Sequence, residues 1–340
     1  MPQLSQLHID VALTNLSIMY RNENYIGDMV LPVVPVAKRS DKYFVYTKAD
    51  FLSPSSLGAS PTLPNSLRRP GAEAAEIDFS VGTQSYYCEE YAYRGLVTDA
   101  ARAIADSPLQ PDIDQNIMLM ERLLLDNEVQ VNRLVGTRGN YPSTNKVTLT
   151  TGTTGTSWAS YTSSSSNPFL DIKNGKIAVI RGIIREANSF VAGVNTARVL
   201  ADHPALKDLI KYTHQDALTT SGLPKVMRGL AVYEGAGQKN TAAEGGTFAS
   251  GDIWQADDAT DMALIYYRTP APGIRTVAFG FTFEAPDDTS GVRGWATRKW
   301  REEKRKGDMQ EVSGLRDWRL VAIDGSSKAL GGYLISSATI

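Results

Sequence analysis

The chain has 340 residues and a formal net charge of -2, which excludes the strong basic excess of a protein that wraps nucleic acid. Its one cysteine, Cys88, leaves no internal disulfide and suits a reducing compartment. No apolar run approaches the roughly 18 residues of a spanning helix, and the N-terminal segment lacks a basic run followed by an apolar core, so neither a membrane segment nor an export signal is expected.

The chain opens as an arm. Residues Asp10 to Tyr20 read as a short helix capped by Asp10, and Pro32 and Pro35 then interrupt an apolar run, so Val30 to Val36 is expected to be extended. An extended apolar arm needs a surface to lie on, its own chain's or a neighbour's. From Asp41 the pattern has period two: Tyr43, Val45 and Thr47 alternate with Phe44, Tyr46 and Lys48. A second strand-like run from Glu76 to Val97 is expected to pair back on it, antiparallel. The Pro/Ser/Gly-rich stretch between them is too long for a tight hairpin loop and carries Arg68 and Arg69 near its distal end. It fits either an active-site lid or a projecting two-stranded arm that grips a neighbour.

The strongest pattern runs from Pro111 to Gly136 and predicts one long helix. Pro111 and Asp112 supply its start and Gly136 its stop. Ile113, Ile117, Met120, Leu124, Val131 and Leu134 fall on one stripe in which Asn127 is the only gap; Gln115, Arg122, Asp126 and Arg133 fall on the opposite, polar side. Leu119, Leu123, Leu125 and Val129 lie outside the main stripe, so a second element is expected to cover part of the helix. It can be an ordinary core helix or a spine for other elements.

A polar stretch, Leu149 to Pro168, reads as a linker. Phe169 to Asn188 follows as an amphipathic helix with Leu170, Ile177, Ile180 and Ile184 on one side. Thr196 to Leu200 looks like a strand, and a helix starts at Pro204. Gly229 to Gly235 and Met262 to Tyr267 read as strands around a Gly/Ala-rich loop. This alternation suggests an α/β or α+β unit. The last fifty residues read as strands, and the final one is expected to pair within the unit of the long helix.

No catalytic or metal-binding constellation stands out in the sequence. His203 and His214 lie three helical turns apart, too far to share a metal, and Cys88 has no histidine near it in sequence. No phosphate-binding loop, dinucleotide fingerprint or nucleophile elbow occurs. One basic cluster, Arg298, Lys299, Arg301, Lys304, Arg305 and Lys306 around Trp300, could meet a polyanion, but Glu302 and Glu303 weaken its field and favour a mixed-charge strand facing solvent or a neighbouring subunit.

Arm, long loop and spine together describe a subunit made to be built into something larger. The helix segment LLLDNEVQVNRLV with its glutamate Glu128, the stretch IWQADDATDMALIYYRTP followed by VAFGFTFEAP, and the ending DWRLVAID then LGGYLISSAT resemble the major capsid proteins of tailed bacteriophages. That resemblance implies an α+β, HK97-like capsid fold: an N-terminal arm (1–40), an extended β-hairpin E-loop (41–95), a peripheral domain with the spine helix (96–148) and C-terminal strands (290–340), and an axial domain (149–289). It implies a non-enzymatic coat subunit without metal or cofactor, forming hexamers and pentamers in an icosahedral shell around double-stranded DNA. The virion is its place, after assembly in the bacterial cytoplasm. A separate scaffolding protein, a portal and a decoration protein are the implied partners, with DNA contacts that are non-specific. Arg68, Arg69, Arg122, Glu128, Arg298 and Arg301 are the expected assembly-interface residues. Lys42 and Lys48, the lysines of the E-loop span, both lie near its base, so no covalent cross-link is expected. An encapsulin-type compartment shares the fold and is the nearest alternative; a soluble α/β enzyme with the E-loop as lid is the other.

Overall fold

The computed structural model describes residues 8–9, 25–46, 68, 70–71, 73, 81–105, 109–152, 154–211, 218–243, 245–269, 277–288, 291–322 and 328–337. Along the chain the strands are β1 (His8–Ile9), β2 (Val33–Pro35), β3 (Ser40–Tyr46), β4 (Val81–Tyr87), β5 (Glu89–Thr98), β6 (Lys146–Leu149), β7 (Ser189–Gly193), β8 (Val226–Met227), β9 (Leu230–Gly235), β10 (Gln238–Asn240), β11 (Ser250–Asp252), β12 (Asp261–Tyr266), β13 (Gly280–Ala285), β14 (Ala296–Glu302), β15 (Gly307–Leu320) and β16 (Gly332–Ser337). The α-helices are α1 (Gly27–Val30), α2 (Asp99–Ile104), α3 (Pro111–Gly136), α4 (Pro168–Ile183), α5 (Val194–Asp202) and α6 (Pro204–Ile210).

β15 organises the first sheet. One of its edges pairs antiparallel with β5, from Gly307↔Thr98 to Arg316↔Glu89. The other edge is shared end to end by β14, up to Ala296↔Ser313, and β13, from Ala285↔Leu315. β2 lies parallel to β13, and β1 lies antiparallel to β14, so both described strands of the arm rest on their own chain. Pro35 is tolerated because β2 is an edge strand. β3 and β4 pair antiparallel from Ser40↔Tyr87 to Tyr46↔Val81, as the period-two pattern predicts. The second half of the Glu76–Val97 run does not continue that hairpin. At Cys88, buried and with its N–H bonded to the Arg39 carbonyl, the chain passes from the hairpin to the first sheet, where β5 joins β15.

The second sheet has the order β6-β16-β12-β7-β9-β8. Its central strands are apolar on both faces, as strands covered from both sides must be. Ala263 and Ile265 of β12, Phe190 and Ala192 of β7, and Tyr333 and Ile335 of β16 meet Ile172, Val179 and Ile183 of α4 on one face. The alternate residues, Met262, Leu264, Val191 and Leu334, meet Val131 and Val135 of α3 on the other. Helix α4 sits close to its sheet: a Cβ at Gly175 would lie 2.6 Å from Ile265 and 2.9 Å from Tyr333.

The fold departs from the sequence expectations at several elements and keeps to them at others. The last strand, β16, pairs with β6 and β12, and its Leu334 meets Val131 and Val135 of α3, so it lies against the long helix as expected. Residues Thr196 to Leu200 are helical, because Thr196, Ala197 and Leu200 form a helical stripe against the sheet, and burial overrides β-branched propensity. The expected linker is packed structure: Ser157, Trp158, Ser163 and Ser166 are buried, and the Trp158 indole N–H donates to Asp171 at 2.8 Å. In α4 the expected apolar stripe is the outer one. Leu170, Ile180 and Ile184 are exposed while Ile172, Val179 and Ile183 face the sheet.

The spine helix α3 runs over the predicted residues, but its buried seam differs from the predicted stripe. Leu119, Leu123, Asn127, Val131 and Val135 are buried at four-residue steps, while Ile113 is exposed and Leu124 is only half-buried. A four-residue step overshoots a turn by about 40°, so such a row winds around the helix. Its early members Leu119 and Leu123, with Met120 beside them, meet Trp295 and Val312 of the first sheet, and its late members meet the second. The helix therefore ties the two sheets together.

Candidate functional site: the joint of arm, spine and sheets

Where the arm crosses the middle of α3, the apolar seam gives way to polar groups. Glu128 is fully buried, and all three of its hydrogen bonds come from donors distant in sequence. The backbone N–H of Ile26 donates to Oε1 at 3.0 Å, that of Gly27 to Oε2 at 2.7 Å, and the Trp254 indole N–H to Oε1 at 2.5 Å. These donors come from the arm and from the segment leading into β12. Burial pushes the Glu128 carboxyl up to about 7, against the pull of those three N–H groups. Gly27 is required by the close approach, since a Cβ there would fall 2.7 Å from the carboxylate and 3.3 Å from Val131.

One residue earlier on the helix, Asn127 continues the joint. Its Oδ1 accepts from Arg316 Nη1 at 3.1 Å and from Trp318 Nε1 at 3.0 Å, and its Nδ2 donates to Asp28 at 3.1 Å. Arg316 itself, almost entirely buried, bridges Asp28 of the arm at 3.1 Å and Glu284 of β13 at 3.0 Å, and stacks on Trp295 with its Cζ 4.6 Å from the ring centre. Three separate segments, the arm, the run before β12 and β15, are thus fastened at two adjacent helix positions, and Arg316 ties β13 to them. Among the described residues no cluster of His, Cys, Asp and Glu could hold a metal ion. The chemistry is that of a fastening.

A second network closes the N-terminal end of the spine. Asp112 accepts from Arg102 at 3.0 and 2.7 Å, from Gln310 at 2.8 Å and from Lys299 at 3.3 Å. Its carboxyl is held below the usual range, first by the Arg102 hydrogen bonds. Arg301 clasps Asp99 at 2.6 and 2.5 Å, and Arg298 pairs with Asp287 with both side chains largely buried. The basic cluster of β14 is therefore neutralised within the subunit at Arg298, Lys299 and Arg301.

Of the six expected interface residues, Glu128 lies inside the subunit rather than on its surface, and Arg298 and Arg301 are engaged in intramolecular pairs. Arg122 is exposed on α3, Arg68 is exposed, and Arg69 lies outside the described residues, as do Lys48 and His214. Sequence reasoning missed Asn127, Trp254, Gly27 and Arg316. The readable signal was an Asn-Glu pair interrupting an apolar helix seam.

No protein-family model matches the chain. In sequence it is 28% identical over 286 residues to the major capsid protein of Pseudomonas phage JBD67, an alignment covering 83% of this chain and 85% of that one. In structure it is similar to a phage-related protein of Bordetella bronchiseptica RB50, with a TM-score of 0.67, 22% identity and 97% coverage of both chains. It is also similar to the mature capsid subunit of bacteriophage PhiM1, with a TM-score of 0.56, 11% identity, and 95% and 89% coverage. The fold is α+β and HK97-like, and the resemblance to phage major capsid proteins read from the sequence is shown by its relatives.

Proposed function

We propose that this chain is a coat subunit that assembles with its own copies into a closed icosahedral shell of hexamers and pentamers around double-stranded phage DNA. The observation that carries this reading is the sequence likeness to a phage major capsid protein along most of both chains, joined to a fold whose neighbours are capsid subunits over nearly their full length. The joint at Glu128 serves this role as a fastening that holds arm, spine and both sheets in one rigid subunit. We carry forward the division into arm (1–40), E-loop (41–95), peripheral parts (96–148 and 290–340) and axial part (149–289) as the working parts of the coat. Arg68, Arg69 and Arg122 remain the proposed contacts to neighbouring subunits. The subunit acts without catalysis or cofactor, takes its place in the virion after assembly in the host cytoplasm, and works with a separate scaffolding protein and a portal.

Light scattering of the purified protein tests the reading. Capsomers of five and six copies, or shells, are expected as concentration rises or scaffold is supplied. A single stable monomer under every salt and scaffold condition overturns it. Shells that fill with a protein cargo and never with DNA would transfer the protein to the encapsulin-type alternative.

A further inference from the structure

Strand β5 is an open edge of the first sheet. It runs for 10 residues, and among the described residues β15 is the strand that pairs with it, on one side only. The backbone N–H and C=O groups turned away from β15 therefore lack ladder partners, and such a row is a template for another strand unless the chain blunts it. Shortness, proline, lysine or a bulge commonly does so. β5 has none of these: its sequence is EEYAYRGLVT, and its register with β15 advances residue for residue from Gly307↔Thr98 to Arg316↔Glu89.

The two faces of the strand differ. Tyr91, Tyr93 and Gly95 face the spine: Tyr91 packs against the cluster of Leu119, Met120 and Leu123, the Tyr93 hydroxyl donates to Asp126 at 2.5 Å, and a Cβ on Gly95 would collide with Gln115. Glu90, Ala92 and Arg94 alternate with them and are exposed on the opposite face. Among the described residues neither Glu90 nor Arg94 has an ion pair or a side-chain hydrogen bond. Glu311 of β15 stands opposite Arg94, but the cation nearest to it is Arg298, at 3.9 Å. Glu90 and Arg94 themselves lie about 13 Å apart along the strand, too far to pair within one chain.

We propose that β5 pairs antiparallel with β5 of a second copy about a twofold axis at Ala92, joining the first sheets of two subunits into one. A twofold axis normal to the sheet keeps the spine-facing residues of both copies on one side, so the register must be centred on a residue. Centring at Ala92 sets Glu90 of each copy opposite Arg94 of the other and Tyr91 opposite Tyr93. Centring at Tyr91 or Tyr93 leaves both charges without a partner, and centring at Glu90 or Arg94 sets like charges against each other. Opposite charges and aromatic pairs are the neighbours that stabilise an antiparallel pairing. The contact is isologous and closes at two copies, so between rings of subunits it joins one ring to the next. This inference rests on the coat-subunit reading and gives it a contact between capsomers.

Charge reversal in the full-length chain under assembly conditions tests the pairing. Glu90→Arg or Arg94→Glu alone sets like charges opposite each other and is expected to lower particle yield at least tenfold. The two together restore opposite charges and are expected to recover most of the yield. Thermal midpoints separate a lost contact from a damaged subunit, since Arg94→Glu also sets an acid opposite Glu311; where a reversal lowers the midpoint, a cysteine pair of variants decides. Ala92→Cys, on the axis, is expected to give disulfide-linked dimers under mild oxidation, and Glu90→Cys, whose two copies would stand about 13 Å apart, none. Cys88 is fully buried and its thiol is pushed up to about 11 by burial, so the native background is silent. Normal yield from both single reversals would leave this edge to a different protein's strand or to another segment of this chain, and overturns the pairing. So do equal losses in single and double reversals at unchanged midpoints, or Glu90→Cys dimers matching those of Ala92→Cys. The coat reading survives each of these outcomes; failure of the unaltered chain to assemble sinks both.

Discussion

Gly27 and Glu128, 101 residues apart in sequence, meet at 2.7 Å, a backbone N–H of the arm donating to the buried carboxylate at the middle of the spine helix. The contact fixes where the arm enters the subunit. It also explains why a glycine stands at that position, since any Cβ would press on the carboxylate.

Gly27→Ala is expected to force arm and helix apart and weaken the bonds of Ile26 and Gly27, lowering stability by about 1–3 kcal/mol. Met29→Ala, two residues on and 46% exposed, is expected to change stability by less than about 0.5 kcal/mol. Thermal or urea unfolding of the two variants measures the difference; equal losses would mean the arm is not fastened at Glu128.

The same carboxyl gives a pH dependence with a definite sign. It holds its proton up to about pH 7 in the folded chain, against an ordinary value near 4.5, so between those values the native state binds more protons than the unfolded one. Stability should therefore fall as pH rises from about 4.5 to 7 and level off above, by an amount of order 3 kcal/mol for this group alone. Asp112, held low by Arg102, acts at lower pH and in the opposite sense. Glu128→Gln is expected to flatten the slope between pH 4.5 and 7; a variant with the unaltered slope would place the titration elsewhere.

Along the spine, three neighbouring positions separate core from surface. Leu123 is fully buried, Leu124 half-buried and Arg122 exposed. Leu123→Ala is expected to cost about 2–5 kcal/mol, Leu124→Ala less, and Arg122→Ala under about 0.5 kcal/mol. Denaturant midpoints check the order, and particle counts for Arg122→Ala show whether that exposed face meets a neighbour.

Arg298 tests whether the basic strand is structural. It pairs with Asp287 and is largely buried, so Arg298→Ala takes from a buried acid its arginine partner and is expected to cost about 3 kcal/mol. DNA retention in a filter assay should not change. A stable variant with weakened DNA retention would instead make this strand a polyanion surface.

Local signals carried much of the fold. Pro111, Asp112 and Gly136 mark both ends of the spine, and the alternation at Tyr43 to Tyr46 gives the base of the hairpin. What could not be read is decided by distant partners. Leu170, Ile180 and Ile184 form as good a stripe as Ile172, Val179 and Ile183, and only the sheet beneath α4 decides which is buried. Phe190 and Val191 of β7, apolar on both faces, carry no alternation and went unnoticed, and the partner of β16 depends on how the chain returns to β12. The joint was half legible: Glu128 stood out inside an apolar helix, but nothing local says that its donors are Ile26, Gly27 and Trp254.

Electron microscopy of the purified, unaltered chain under assembly conditions tests the central claim most directly. Closed particles whose reconstruction shows fivefold and sixfold capsomers, with density for the arm crossing the spine at Glu128, are the predicted result. Images that show only isolated subunits at every concentration, salt and scaffold condition would contradict it.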